Sequence, residues 1–153
     1  MKRFTVGVLA LFIFVIMFSG LLAGIALYQD YSTRKFVEGY YENLIQGDYE
    51  KAYTYLHPWS EDPQQPLGVS RESAETDFMR GISFLREQGY EITHIDKVDV
   101  FADGSRLGAT VKLTVSVKGE TFRVEERILF YSSRMVIVHS QDKFAPYRDG
   151  KMG

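Results

Sequence analysis

The sequence predicts an α+β protein: one N-terminal transmembrane helix, then three helices packed on one face of a curved four-stranded antiparallel sheet. Three observations predict it. Residues 4–28 carry no charge, the apolar residues between about 31 and 88 recur at helical spacing, and beyond Gly89 the period falls to two.

The run "FTVGVLALFIFVIMFSGLLAGIALY" exceeds the roughly 20 apolar residues a helix needs to cross hydrocarbon. Lys2 and Arg3 precede it and Asp30 follows. The positive-inside bias therefore places residues 1–3 in the cytoplasm and the domain that begins at residue 29 outside a cell membrane, with the lipid bilayer as partner of residues 4–28. A cleaved signal peptide is the competing reading, because Gly24 and Ala26 are small residues at a peptidase-compatible spacing. Signal-peptide cores run about 7–15 apolar residues, which favours an uncleaved single-pass anchor.

In a chain of 153 residues, the portion beyond such an anchor suffices for one core. No cysteine is present, so neither a disulfide scaffold nor a cysteine-linked lipid fits. The chain has 18 Lys and Arg, two of them ahead of the apolar run, against 20 Asp and Glu, and the basic residues are interleaved with acids. That pattern argues against nucleic acid as a partner.

A first helix is read from Phe36, Val37, Tyr40, Tyr41, Leu44 and Ile45. Gly47 ends it in the left-handed region and Asp48 caps a second, short helix with Tyr49, Ala52, Tyr53 and Leu56 on one face. Pro58 stops that helix. The stretch "HPWSEDPQQPLGV" holds three of the four prolines and reads as a loop anchored by Trp59. Ser70 caps a third helix that turns Ala74, Phe78, Ile82 and Leu85 inward, and Gly81 in its middle implies close packing against a neighbour.

Four strands complete the domain, at about 90–101, 107–117, 121–131 and 134–140, joined by hairpin connections. The clearest points Leu107, Ala109, Val111, Leu113, Val115 and Val117 to one side. The domain is read as 29–147, with residues 148–153 a flexible tail.

The phrase "GDYEKAYTYL" between the first two helices, followed by a proline-rich loop, a third helix and a sheet, resembles the nuclear transport factor 2-like superfamily, the cystatin-like α+β cones. The resemblance spans about residues 31–140. It implies a curled sheet whose open end can form a pocket, and a bacterial membrane-anchored member of that group.

Strict alternation places Glu126 among the inward residues Phe122, Val124, Ile128 and Phe130, where an unpaired carboxylate is costly. By the same parity His94 follows Ile92 and Val98, and His139 follows Met135 and Ile137. Glu126, His94 and His139, with Tyr40, Tyr53 and Trp59, are therefore the candidate pocket residues for acid–base chemistry or a small-molecule ligand. No residue is assigned as catalytic. His57, His94 and His139 lack a second ligand at metal-site spacing, no serine lies in a nucleophile elbow, and no phosphate-binding glycine loop appears, so neither metal nor cofactor is expected.

On the opposite face the parity gathers Ile95, Phe101, Leu129 and Tyr131 among charges, a candidate interface for a homodimer or an envelope protein. Two functions remain: a non-catalytic anchored binding or assembly domain, which the bland chemistry favours, and a small-molecule or isomerase-, cyclase- or dehydratase-like site in the cone.

Overall fold

The computed structural model describes residues 2–57, 70–104, 106–131 and 133–149. The chain divides into an N-terminal unit, Met1–Ser32, and a second unit, Thr33–Gly153. Helix α1 (Lys2–Gln46) begins in the first and ends in the second. In the first unit Phe14, Met17, Leu21 and Leu27 are exposed, and the helix is long and apolar enough to cross a membrane.

In the second unit Gly47, at φ 78°, ends α1, and Asp48 accepts from the Lys51 amide to start α2 (Tyr49–Tyr53). The segment after α2 returns as an extended stretch: the Met135 amide donates to Tyr55 O and the His57 amide to Met135 O. Ser70 caps α3 (Arg71–Glu87), which buries Phe78, Gly81, Ile82 and Leu85. Trp59 and the loop around it lie outside the described residues.

The sheet is an antiparallel meander, β1 (Tyr90–Asp103), β2 (Arg106–Val117), β3 (Glu120–Tyr131) and β4 (Arg134–Ser140), in sequence order. Lys118 and Gly119, both at positive φ, make the two-residue turn between β2 and β3. Val111, Leu113, Val115 and Ile128 on the inner face share one core with Val37, Tyr40 and Tyr41 of α1 and Phe78 of α3.

The arrangement departs from the three expected helices. Among the described residues there are four, and two are short: α2 has five residues and α4 (Ala145–Arg148) four. Helix α4 closes the domain and runs one residue into the stretch, 148–153, that the sequence suggests is a tail. Arg148, assigned to the flexible tail, is instead only 1 % exposed, because its guanidinium finds acidic partners inside the domain. Residues 150–153 lie outside the described residues.

Bulges overturn the strand parity at three positions. In β1 register shifts at Ile92/His94 and Ile95/Lys97 set His94 beside Thr114 and Ile95 beside Leu113. His94 is thereby exposed on the outer face, and Ile95 packs against the core instead of joining an outer patch. In β4 the shift between Arg127 and Ile128 inserts Val138, so His139 pairs with Arg127 on the outer side and Ser140 turns inward beside Glu126.

Helix α4 is seated on α3 at Gly81, where an added Cβ would overlap the Tyr147 carbonyl oxygen. Alanine at an exposed helix site ordinarily stabilises relative to glycine. Here Gly81→Ala should cost about 1–3 kcal/mol, because the obstacle is backbone. Denaturant midpoints of the full chain in micelles measure it, and an unchanged or raised midpoint would refute the close seating.

Candidate functional site

Glu126 is fully buried on the inner face of β3. Its Oε1 accepts from Ser140 Oγ at 2.6 Å and from Arg148 Nη2 at 2.7 Å; its Oε2 accepts from Tyr41 Oη at 2.6 Å and from the same Nη2 at 2.9 Å. The carboxylate is thus held by α1, β3's neighbour β4, and α4.

Arg148 is surrounded in turn. Its Nε donates to Asp149 Oδ1 at 3.1 Å and its Nη1 to Tyr90 Oη at 3.4 Å, with Asp142 Oδ2 at 3.8 Å from Nη1. The Tyr41 ring lies 6.0 Å from the guanidinium carbon. Tyr90 Oη donates to Asp142 Oδ2 at 2.5 Å. Burial opposes the charge on Arg148, but the Asp149 and Glu126 carboxylates beside it outweigh that and hold its proton more tightly. Burial pushes the Tyr40, Tyr41 and Tyr90 hydroxyls up, and the Glu126 charge adds to the effect on Tyr41.

Local sequence builds this arrangement. Ser140 Oγ accepts from the Asp142 amide, and Asp142 Oδ1 accepts from the Phe144 amide, turning the chain off the sheet. Pro146 then lies in the first turn of α4, where its missing amide proton costs nothing.

A carboxylate that accepts four hydrogen bonds, two of them from the Nη2 of its own ion-pair partner, has no lone pair left to take a substrate proton, so the cluster acts as a clasp between elements. Of the remaining sequence candidates, Tyr40 lies beside the cluster, whereas the histidines and Tyr53 do not join it. His94 and His139 are exposed on the outer face. Tyr53 packs on Phe78 with ring centroids 5.4 Å apart and donates to Arg71 O at 3.2 Å. Tyr40 stacks edge-on against Tyr41, and its buried hydroxyl has no hydrogen-bond partner among the described residues. Trp59 lies outside those residues. No group of three metal-ligating side chains occurs among them.

The residues that complete the clasp, Tyr41, Tyr90, Ser140, Asp142 and Arg148, escape a reading based on parity alone. One signal was available: Asp142 ahead of "KFAPYR", a turn-forming acid before a helix-compatible proline.

A cleft of ≈ 520 Å³ lies elsewhere, between Leu44, Tyr49, Ile82, Leu85 and Tyr90, with Arg148 also in its lining. It holds none of Glu126, His94, His139, Tyr40 or Tyr53. On the outer face Phe101, Gly108, Leu129 and Val136 form one cross-strand row. Gly108 admits the Phe101 ring, which a Cβ would approach to 2.6 Å. Arg127 covers Phe101 at 4.8 Å and Arg106 covers Tyr131 at 4.9 Å, leaving Phe101, Leu129 and Tyr131 half-buried.

The clasp makes two outcomes measurable. Glu126→Gln should destabilise the domain by about 3 kcal/mol and Arg148→Met by at least as much, while the double variant should cost clearly less than their sum. Additive losses in denaturant midpoints would show that the pair is not coupled. In alkali, the raised folded-state hydroxyls of Tyr40, Tyr41 and Tyr90 contribute stability that is complete below the ordinary tyrosine value of about 10 and is lost above it. The unfolded chain releases three protons that the folded one retains, so stability should fall by up to about 4 kcal/mol per pH unit. Tyrosinate absorbance should rise for these groups only together with unfolding; early ionisation at full native circular dichroism would contradict their burial.

In comparisons with known proteins, no family model, no curated protein and no solved structure matches this chain.

Proposed function

We propose that this chain is a single-pass membrane protein whose second unit, outside the cytoplasm, works by binding a protein of the cell envelope and not by catalysis. The element order and the "GDYEKAYTYL" junction support a place among the nuclear transport factor 2-like cones. The observation that carries the functional reading is the saturation of Glu126: the buried acid facing the core is committed to Arg148, Tyr41 and Ser140. Lys2 and Arg3 ahead of the apolar stretch support a cytoplasmic amino end.

One observation favours a second reading. The ≈ 520 Å³ cleft, with Tyr90 in its wall and Arg86 stacked on Tyr49 at 6.0 Å, has the size and mixed lining of a small-molecule site.

The cysteine-free sequence makes the test direct. Glu87→Cys, on the exposed end of α3, should react with a membrane-impermeant maleimide on intact cells, and a photocrosslinker placed there should yield a discrete protein adduct. Labelling only after lysis would reverse the orientation. Absence of any adduct from several exposed positions would favour the cleft reading.

A further inference from the structure

Strand β3 is longer than the strand beside it. It pairs with β2 from Glu120 to Leu129, whereas its pairing with β4 begins only at Glu126. The last bond on that side is from the Gln141 amide to Glu125 O. Because the N–H and C=O of one strand residue point the same way and alternate along the chain, this bond sets the phase. Thr121 and Arg123 aim their backbone donors and acceptors at an edge with no strand beside it among the described residues, while Phe122 and Val124 turn their side chains to the inner face.

The other edges of the sheet are protected. Tyr55–His57 bonds to β4 at Met135. The outer edge of β1 carries two bulges, which blunt an edge against pairing. The β2–β3 ladder has none, so residues 120–124 keep regular strand geometry. Beside them is a groove of ≈ 500 Å³ lined by Val115, Phe122, Val124 and Phe144. Phe122 is 47 % exposed, the most exposed large apolar side chain described in the second unit. Lys118, Arg123 and Lys143 also border the groove, and Arg123, opposite Thr114 at the alternating position of the strand, has Lys112, Glu125 and Asp96 for neighbours on its outer side. Asp142 is buried and bonded to Tyr90, which leaves Glu120 as the exposed acid in the groove's own lining, against Lys118, Arg123 and Lys143.

We propose that the free edge of β3 at Thr121–Arg123 is a strand-addition site for an extended peptide that alternates apolar and acidic side chains. Such a peptide continues the sheet where β4 departs. Its backbone pairs with Thr121 and Arg123, its apolar side chains enter the groove beside Phe122, and its carboxylates meet Arg123 on the other face. A second copy of this chain fits less well: antiparallel pairing about Phe122 sets the two Arg123 side chains diagonally across one face with no acid opposite either. The inference rests on the binding role proposed above and names the kind of segment bound.

The test uses the full chain in nanodiscs of uncharged lipid and two fluorescent nine-residue peptides, one alternating valine with glutamate, the other valine with lysine. The glutamate peptide should bind saturably and the lysine peptide at least about tenfold more weakly. Thr121→Pro removes an edge amide that has no partner among the described residues and should weaken binding by about tenfold or more, with the melting temperature held. Arg123→Glu, a change at an exposed side chain, should invert the preference between the peptides. Binding should also slow amide exchange at Thr121 and Arg123. Failure of the glutamate peptide to bind, binding indifferent to both variants, or a homodimer that Thr121→Pro dissociates would each overturn the proposal. If the peptide fails while Glu87→Cys still gives its adduct in cells, the binding role survives and the edge is excluded as its site.

Discussion

Burying an arginine imposes a demand on everything near it: each ion removed from water costs several kcal/mol, and the cost is met only where hydrogen-bonding partners converge. In this protein the demand comes from Arg148 and is met by Glu126, Asp142, Asp149 and Tyr90. Much of the second unit's geometry can be traced to it. For Arg148 to reach the inner face, β4 must stop at Ser140, the chain must turn through Asp142, and α4 must sit against α3 closely enough that residue 81 has no side chain. Tyr41 brings α1 into the same arrangement through Glu126 Oε2. A domain without disulfides thereby connects its first helix, its last helix and the middle of its sheet through one carboxylate.

A buried ion pair adds little net stability over an apolar pair, but its geometry is directional. An apolar pair of similar volume would pack at lower desolvation cost, but it would not discriminate between positions of α4 along the core. The guanidinium does discriminate, since its Nη2 must address both oxygens of Glu126 while Nε addresses Asp149. The same directionality argues against catalysis at this place. General acid–base chemistry needs a proton site that changes partners during turnover, and here each oxygen of Glu126 already holds two donors.

How far the sequence discloses this structure depends on local regularity. Glu126 can be placed inward by alternation because β3 pairs with β2 without a bulge. The capped helices are legible because Gly47, Asp48, Ser70 and Gly89 each have a distinct backbone role. His94, Ile95 and His139 are misplaced by the same alternation, since each lies at or just past an inserted residue that leaves no mark in apolar periodicity. Arg148 is harder still. A charged residue near the end of a polar stretch, between Pro146 and Gly150, has the composition of a tail, and its burial is decided by acids far off in sequence. Gly81 shows the intermediate case: a helix glycine announces a close neighbour without saying that the neighbour is α4.

The clasp and the open edge of β3 are two consequences of one chain path. By leaving the sheet at Ser140 to deliver Arg148, the chain gives up the pairing that would have covered Thr121–Arg123. An uncovered regular edge is ordinarily a hazard, and the bulges of β1 together with the Tyr55–His57 segment on β4 show the usual remedies in place elsewhere in this sheet. The proposed anchor changes what such an edge can achieve. Two proteins confined to one membrane meet at a raised effective concentration, so a short added strand of modest affinity suffices, and its occupancy stays reversible. A pairing of that strength would be lost by dilution in a freely diffusing domain. On that argument the proposed anchor and the proposed strand-addition edge would belong to one mechanism, with the tether supplying the concentration and the edge the selectivity.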